Sequence, residues 1–330
     1  MAAVELLRRP ELRGLPVVVG GDGDPTKRGV VSTASYEARA FGVTSGVPLR
    51  TAARRCPDAV FLPADAEAYT AASARVMDAL RSFGGPVEVL GWDEAFLSYV
   101  GEAEPEVRAR DIQQRVRERT DLACTVGIGR NKLQAKLATG FGKPAGVYRL
   151  TDDTWFEVLG ERGPDALWGI GSRTAKRLAT LGVTTVAQLA AADPSRLAAE
   201  FGPATGPWLV QLGQGRGGTT ISAEPWVARS RSRETTFQEN LEDWSLVRAA
   251  VADLARTLAP SAGERAVLRV VVKVRFAPFS TETHGAALPR ADTDPEAIAA
   301  AAEVALERFT RRRPVRLVGV RVEYEPVSPQ

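Results

Sequence analysis

"PVEVLGWDEAFLSYV" (residues 86–100) alternates apolar and polar residues on both sides of Gly91 and sets Asp93 and Glu94 side by side near its middle. Period-two alternation interrupted by glycine reads as two short strands meeting near Gly91–Asp93, that is, a hairpin. In the preceding run "DAEAYTAASARVMDALRSFG" (65–84), Tyr69, Ala72, Val76, Leu80 and Phe83 recur at three- and four-residue spacing, which predicts a helix stopped by Gly84 and Gly85. After the hairpin, Val107, Ile112 and Val116 predict a second amphipathic helix, which leads into a strand, "ACTVGIG" (123–129). The order helix, hairpin, helix, strand, preceded by further strand signals, predicts an α+β domain with an antiparallel sheet.

Those earlier signals lie nearer the N-terminus. "LPVVVGG" (15–21) is a β-branched run closed by glycines and reads as a buried strand, "GDGDPTKRG" (21–29) as a turn, and "VVSTASYEARAFGV" (30–43) as a strand passing into a helix. Beyond Gly146 the pattern becomes helical, with short helices joined by glycines, and "GQGRGGTTISAEP" (213–225) reads as an interdomain linker. Its match to G-x-G-x-x-G has no following helix and is read as chance. Further on, "AVLRVVVKVRF" (266–276) places Arg269, Lys273 and Arg275 on one face of a strand and Val270, Val272, Val274 and Phe276 on the other. A helix "DPEAIAAAAEVALERFTR" (294–311) and a strand "VRLVGVRVEYE" (315–325) follow, giving a second α+β module with a basic sheet face.

Composition excludes several chemistries. The 330 residues allow two to four domains, and no apolar run approaches the roughly 20 residues of a membrane span. The N-terminus lacks the order of a secretory signal, so a cytoplasmic protein is expected. Cys56, Cys124 and the single His284 leave no basis for a zinc site, a disulfide framework or a histidine-based triad. The net charge is only +3, yet residues 130–150 carry Arg130, Lys132, Lys136, Lys143 and Arg149 without an acid, and residues 308–321 carry six arginines without one. With "RSRSR" (229–233), these clusters predict surfaces that grip a polyanion.

Four stretches carry candidate chemistry, each with a plainer structural reading beside it. Asp93 and Glu94 fit a hairpin turn, or a carboxylate pair that clamps Mg²⁺ against a triphosphate. Thr33, Tyr36 and Arg39 fit an ordinary capped helix, or hydroxyls and a guanidinium set at a helix start for a polyphosphate. Lys143, held before Pro144, fits a solvated surface lysine or a point charge for a phosphate. "LWGIGSRTAKRLATLGV" (167–183) resembles a helix-hairpin-helix, in which Gly169 and Gly171 make the turn, the next helix's N-terminus takes a DNA phosphate and Lys176 adds charge. Together the four describe a nucleotidyl transferase acting on nucleic acid.

The order of "VVSTASYEARAFGV", "GWDEAFL", "TVGIGRNKLQAKLATGFGKPAG" and "WGIGSRTAKRL", followed by a basic C-terminal sheet, resembles the Y-family translesion DNA polymerases, most closely the bacterial DNA polymerase IV branch. The resemblance runs from Ala2 to about Arg321. It implies a right-hand polymerase: fingers and a remnant of N-terminal palm (1–64), palm (65–150), thumb with the helix-hairpin-helix (151–215), linker (216–226) and little finger (227–330). It implies Asp93 as a Mg²⁺ ligand and Glu94 as the neighbouring catalytic carboxylate near the primer 3′-hydroxyl, two Mg²⁺ ions, and Thr33, Tyr36, Arg39 and Lys143 around the incoming dNTP. Gly169, Gly171, Lys176, Arg231, Arg233, Arg269, Lys273 and Arg275 would hold primer-template DNA. A monomer without proofreading is expected.

Two departures qualify the resemblance. Family members open with a strand D-x-D-x-F-hydrophobic-A-x-V-E, whose first Asp bridges both metals; "MAAVELL" matches only its end. The expectation is a translation start upstream of Met1, with a truncated or degenerate copy as the alternative. The chain ends "EYEPVSPQ" without the hydrophobic peptide by which many relatives bind the sliding clamp, so clamp tethering is not expected. The competing function is a catalytically impaired DNA-binding accessory protein of a mutagenesis complex.

Overall fold

A computed structural model of the chain describes residues 1–99, 101, 103–261 and 264–326. In chain order the strands are β1 (Val17–Val19), β2 (Thr33–Ala34), β3 (Val60–Leu62), β4 (Val87–Gly91), β5 (Glu94–Leu97), β6 (Val126–Ile128), β7 (Val147–Arg149), β8 (Ser230–Leu241), β9 (Val267–Phe276), β10 (Thr281–Asp292) and β11 (Val315–Tyr324). The helices are α1 (Ala2–Arg8), α2 (Tyr36–Ala40), α3 (Leu49–Arg55), α4 (Ala66–Arg81), α5 (Pro105–Thr120), α6 (Lys132–Gly142), α7 (Asp152–Leu159), α8 (Ser172–Thr180), α9 (Val186–Ala190), α10 (Pro194–Phe201), α11 (Thr205–Gly213), α12 (Trp244–Thr257) and α13 (Pro295–Glu307). They divide between two compact units, one built from Ala3–Glu11 and Asp65–Glu224, the other from Leu12–Ala64 and the chain from Pro225 onward. Among the described residues no helix is long and apolar enough to cross a membrane.

In the first unit, β4 and β5 form the antiparallel hairpin that the sequence predicts, with Val87 opposite Leu97 and Gly91 opposite Glu94. Helices α4 and α5 form its support: Ala79, Ile112 and Val116 are buried together, with Val76, Leu80 and Phe83 packed around them and Leu97 of β5 and Val126 of β6 resting on the same cluster. The buried stripe of α5 is Ala109, Ile112, Val116 and Thr120, whereas Val107 is exposed. A 3.6-residue period places Val107 well off that stripe, so its assignment to the apolar face is corrected. β6 and β7 pair in parallel, joined by α6, where the sequence suggested only antiparallel pairing and helix after Gly146. The pattern "GIG" has a steric reason: a Cβ at Gly127 would lie 2.2 Å from the Ala135 carbonyl oxygen, so α6 rests directly on β6.

The rest of this unit is helical. Leu133, Trp155, Leu159, Ile170, Leu178, Leu189, Leu197 and Leu209 form one core across α6–α11. The Trp155 indole N–H donates to the Gly213 carbonyl at 2.8 Å, so the largest buried side chain leaves no orphaned donor. No helix or strand lies between Gly213 and Ser230, in keeping with the glycine-rich composition there.

In the second unit, β1 is central to a sheet ordered β2-β1-β3, antiparallel to β2 and parallel to β3. Val17, Val18 and Val19 are fully buried. The remaining part is an antiparallel sheet ordered β10-β9-β11-β8, with α12 and α13 on one face. Val270, Val272, Val274 and Phe276 meet Val318, Val320 and Val322 on that face, over Val251, Ile298, Leu306 and Phe309. Each such side chain stabilises by about 1.5–3 kcal/mol when fully buried, which accounts for the apolar face of β9; the alternation is not strict, because Val271 on the opposite face is also buried. The tail "EYEPVSPQ", on which the clamp expectation rests, has its last four residues outside the described set.

Candidate active site and nucleic-acid interface

The hairpin carries Asp93 in its turn and Glu94 as the first residue of β5, both exposed. Because α6 lies flat on β6, its residues four apart reach the hairpin. Lys132 Nζ donates to both oxygens of Glu88 on β4, at 2.7 and 2.6 Å, and Lys136 Nζ donates to Glu94 Oε1. The Lys132 ammonium, followed by the Ser222 backbone N–H, holds the Glu88 carboxyl below the usual carboxylate range. Trp92, just before Asp93, stands edge-on to Tyr69 of α4 with ring centroids 5.9 Å apart. Tyr69 in turn donates to Glu5 Oε1 at 2.7 Å; Glu5 is 1% exposed and also bound by Arg8 and Arg9. Burial, then this hydrogen bond, pushes the Tyr69 phenol up to about 12. The Met1 amino group feels the Asp93 charge, which raises its pKa, although burial acts more strongly and lowers it.

Asp93 and Glu94 thus offer hard oxygen donors whose described partners are cationic. That donor set fits a divalent ion of the Mg²⁺ type, which is commonly held by one or two carboxylates together with substrate phosphates. Among the described residues no group of three or more His, Cys, Asp or Glu side chains converges on one point. The two predicted carboxylates are chain neighbours on the hairpin, and the structure sets Lys136, Glu88, Tyr69 and Glu5 around that hairpin, which sequence reasoning missed. The one available signal was the pair Lys132 and Lys136, spaced for a single helix face with no acid nearby in sequence.

The other sequence-predicted residues fall as follows. Thr33, Tyr36 and Arg39 share the β2–α2 segment of the second unit. Ser35 caps α2, accepting from the Ala38 N–H at 3.4 Å, and Arg39 Nε donates to the Ala34 carbonyl at 3.0 Å, which turns the guanidinium back toward the helix start. Lys143, at the C-cap of α6 in the first unit, is exposed and makes no ion pair among the described residues. It is alone in this within its acid-free segment. Arg130 pairs with Asp152 at 3.0 Å and Arg149 with Glu106 at 3.3 Å, while Lys132 and Lys136 take Glu88 and Glu94. The predicted polyanion surface over 130–150 is thus largely neutralised by acids from elsewhere in the chain.

At the helix-hairpin-helix, Gly169 has φ +101°, which a side chain rarely adopts, and a Cβ there would meet the Trp208 ring at 3.0 Å. Gly171 is the N-cap of α8 and offers no side-chain capping bond, so the first N–H groups of that helix point outward unsatisfied by a cap. Lys176 on α8 is exposed.

On the C-terminal sheet, register separates the cations by face. Arg269, Lys273 and Arg275 of β9 lie on the face away from the helices, whereas Arg231 and Arg233 of β8 stand opposite Val322 and Val320 and so belong to the helix side of that edge strand. Arg269 pairs with Glu323 at 3.3 Å, Lys273 with Glu234 and Arg231 with Glu264 at 3.4 Å. Among the described residues the Arg275 guanidinium donates to the Thr281 hydroxyl, at 3.1 Å, and makes no ion pair. The open face keeps a positive excess in which Arg275 is the least neutralised cation.

Comparison with known proteins agrees along the whole chain. The impB/mucB/samB family model matches residues 1–140, the C-terminal domain model of the same family residues 228–324, and a DNA polymerase-iota thumb domain model residues 165–216. DNA polymerase IV 2 of Mycobacterium tuberculosis is 52% identical over 328 residues, covering 98% of this chain and 94% of that protein. DNA polymerase IV of Methanoculleus marisnigri is 37% identical, covering 97% and 90%. Among solved structures, a Y-family DNA polymerase chimera, Dbh-Dpo4(243-245)-Dbh, superposes with a TM-score of 0.86 at 26% identity, covering 99% and 96%. An insertion ternary complex of Dbh DNA polymerase gives 0.64 at 27%, covering 99% and 96%. With the carboxylate hairpin, the helix-hairpin-helix and the C-terminal sheet all matched, the chain belongs to the Y-family DNA polymerases, in the group of the DNA polymerase IV proteins.

Proposed function

We propose that the chain is a Mg²⁺-dependent, template-directed translesion DNA polymerase that joins a dNTP to a primer 3′-hydroxyl. The observation that carries the reading is the exposed Asp93–Glu94 pair on a hairpin turn, in a chain 52% identical to a DNA polymerase IV over nearly its full length. In the reaction the 3′-hydroxyl oxygen forms a bond to the α-phosphorus, the bond to the pyrophosphate oxygen breaks, and the hydroxyl proton is lost. The protein's work is mostly positioning and charge stabilisation. Asp93 and Glu94 would hold Mg²⁺, which when bound supplies the positive charge that offsets the phosphates; two ions are proposed, following the general pattern of in-line displacement.

Thr33 and Tyr36 offer hydroxyls and Arg39 a guanidinium to the triphosphate, and Lys143 offers a point charge. The α8 N-terminus with Gly169, Gly171 and Lys176 takes a duplex phosphate without reading sequence. On the C-terminal sheet Arg275 serves the DNA backbone in the same way; Arg269 and Lys273 share its face but must first release Glu323 and Glu234, and Arg231 and Arg233, on the helix side of the edge strand, would need a separate stretch of backbone. The proposed division is fingers with a remnant of palm (1–64), palm (65–150), thumb (151–215), linker (216–226) and little finger (227–330).

Primer extension with Mg²⁺ tests the assignment. Asp93→Ala is expected to lower the extension rate on the order of 10²–10³-fold, the usual effect of removing one preorganised electrostatic group. Extension at an undiminished rate would overturn the role of Asp93.

A further inference from the structure

The six arginines of residues 308–321, one cluster in sequence, take different places in the structure. Arg311 and Arg321 pair with Glu282 and Glu323 at 3.3 and 2.6 Å, and Arg308 and Arg313 donate to the carbonyls of Gly285 and Ala277. Arg312 instead lies over the Trp244 ring, 4.2 Å from its centroid, where α12 begins and α13 ends. There Trp244, Ser245, Arg248, Leu306 and Arg312 line a cavity of about 280 Å³.

Two groups in this cavity lack what a finished core supplies. Trp244 Nε1 is shut off from water and finds no acceptor among the described residues. A buried donor left without a partner carries its full desolvation cost. Among the described residues Arg312 makes no ion pair, and it spends one N–H on the Phe309 carbonyl. Arg248, in contrast, is held by Glu303 at 3.0 Å and Glu307 at 3.5 Å. The unmet groups are therefore both donors, and of the two arginines Arg312 is the one that no acid holds in place.

Volume, charge and position narrow the ligand. The cavity is smaller than the roughly 300–1,000 Å³ of small-molecule pockets, and so suits a side chain better than a nucleotide. One unpaired guanidinium offsets one negative charge. Glu303, Glu307 and Asp243 are bonded to lining residues, so they stand close by and oppose a second charge. The cavity also belongs to the helix-covered face of the sheet, whereas Arg269, Lys273 and Arg275 occupy the other face. A single carboxylate on a short apolar stem satisfies all of these conditions, and a nucleic-acid strand does not.

We propose that this cavity is the docking point of a protein partner, which inserts one aspartate or glutamate side chain: Arg312 takes the carboxylate in a charge-assisted hydrogen bond and moves with it off the indole ring, and the bared Trp244 N–H becomes the second donor. Leu306 packs against the methylene stem. The proposal does not depend on the polymerase reading.

The Trp244 indole resonance of the isotopically labelled full chain, assigned with Trp244→Phe, reads the site. Titration with N-acetylglutamate N′-methylamide is expected to move it downfield to saturation with a millimolar Kd, and the glutamine analogue is expected to leave it in place. Arg312→Gln, an exposed substitution whose fold the remaining spectrum reports, is expected to weaken that binding about tenfold or more. No movement with the glutamate analogue, equal movement with the glutamine analogue, or undiminished binding by Arg312→Gln overturns the site. Inorganic phosphate is the second anion, and tighter binding of phosphate than of the glutamate analogue overturns the assignment to a carboxylate. The third probe is a dT20 oligonucleotide, whose affinity is expected to change by less than about twofold in Arg312→Gln; a larger loss would make Arg312 a nucleic-acid contact and overturn the protein partner.

Discussion

The ammonium of Lys136 occupies a carboxylate that the proposed chemistry needs for a divalent ion, and its removal has a calculable effect. Lys136 Nζ is hydrogen-bonded to Glu94, with side-chain exposures of 22% and 45%. A cation arriving at Asp93 and Glu94 must displace this ammonium or sit beside it. At about 4 Å two unit charges interact by about 1 kcal/mol in water and about 4 kcal/mol at an effective dielectric of 20. The pair is half open to solvent, so the lower part of that range applies, roughly 1–2 kcal/mol. That corresponds to about a five- to thirtyfold change in affinity. Lys136→Met keeps the length of the side chain and removes the charge. Titration of the full chain with Mn²⁺, followed by electron paramagnetic resonance with Mg²⁺ as competitor, should therefore show Kd lowered by that factor. Lys136→Arg should stay close to wild type, and Asp93→Asn in the Lys136→Met background should abolish the gain. Unchanged or weaker Mn²⁺ binding in Lys136→Met would refute the view that this lysine holds the place of the metal.

Two further predictions concern the support of the hairpin. Tyr69 is 2% exposed and its phenol is pushed up to about 12, above the ordinary tyrosine value near 10, so the folded state favours the neutral form. The associated stability is complete below about pH 10 and is lost as pH rises toward 12, by roughly 2–3 kcal/mol. Urea unfolding across this range should show the loss in the wild type and not in Tyr69→Phe, and parallel pH profiles would count against the assignment. Gly127→Ala would place its Cβ 2.2 Å from the Ala135 carbonyl oxygen and 2.5 Å from the Thr139 nitrogen, both backbone atoms of α6. Overpacking of this kind costs about 1–3 kcal/mol, and because α6 carries Lys132 and Lys136, a fall in stability should be accompanied by altered Mn²⁺ affinity; unaltered denaturation would show that the helix can move away freely.

The parts of the fold legible in sequence were those whose signal is local. "LPVVVGG" and "AVLRVVVKVRF" announce strands because each residue's neighbours set its face, and α4 and α13 announce helices in the same way. Parallel pairing was not legible: β3 and β7 are three-residue strands whose partners, β1 and β6, lie far back in the chain, so neither length nor alternation marks them. β8, β10 and α12 also escaped, β8 because its run "SRSRETTFQENL" is an exposed edge with little apolar content. The carboxylate pair was legible as a pair, since both acids are adjacent in one hairpin. Its surroundings were not, because Lys136, Glu88, Tyr69 and Glu5 reach it through tertiary packing.

The charge clusters show what that packing adds to a sequence reading. An acid-free stretch of five cations suggested a surface for a polyanion, yet Arg130, Lys132, Lys136 and Arg149 each face an acid contributed by a distant segment. The exposed pairs of Arg130 and Arg149 contribute little to stability, about 0–1 kcal/mol, but all four pairs remove their cations from competition for an external phosphate. Lys143 is left exposed and unpaired among the described residues, and it is the one member of the stretch that the family resemblance assigns to the triphosphate. On β9, pairing similarly removes Arg269 and Lys273 and leaves Arg275. Lack of an internal counterion, more than density of positive charge along the sequence, is therefore the property that separates cations available to a ligand from cations that hold the fold, and it selects Lys143 and Arg275 where composition alone selected whole segments.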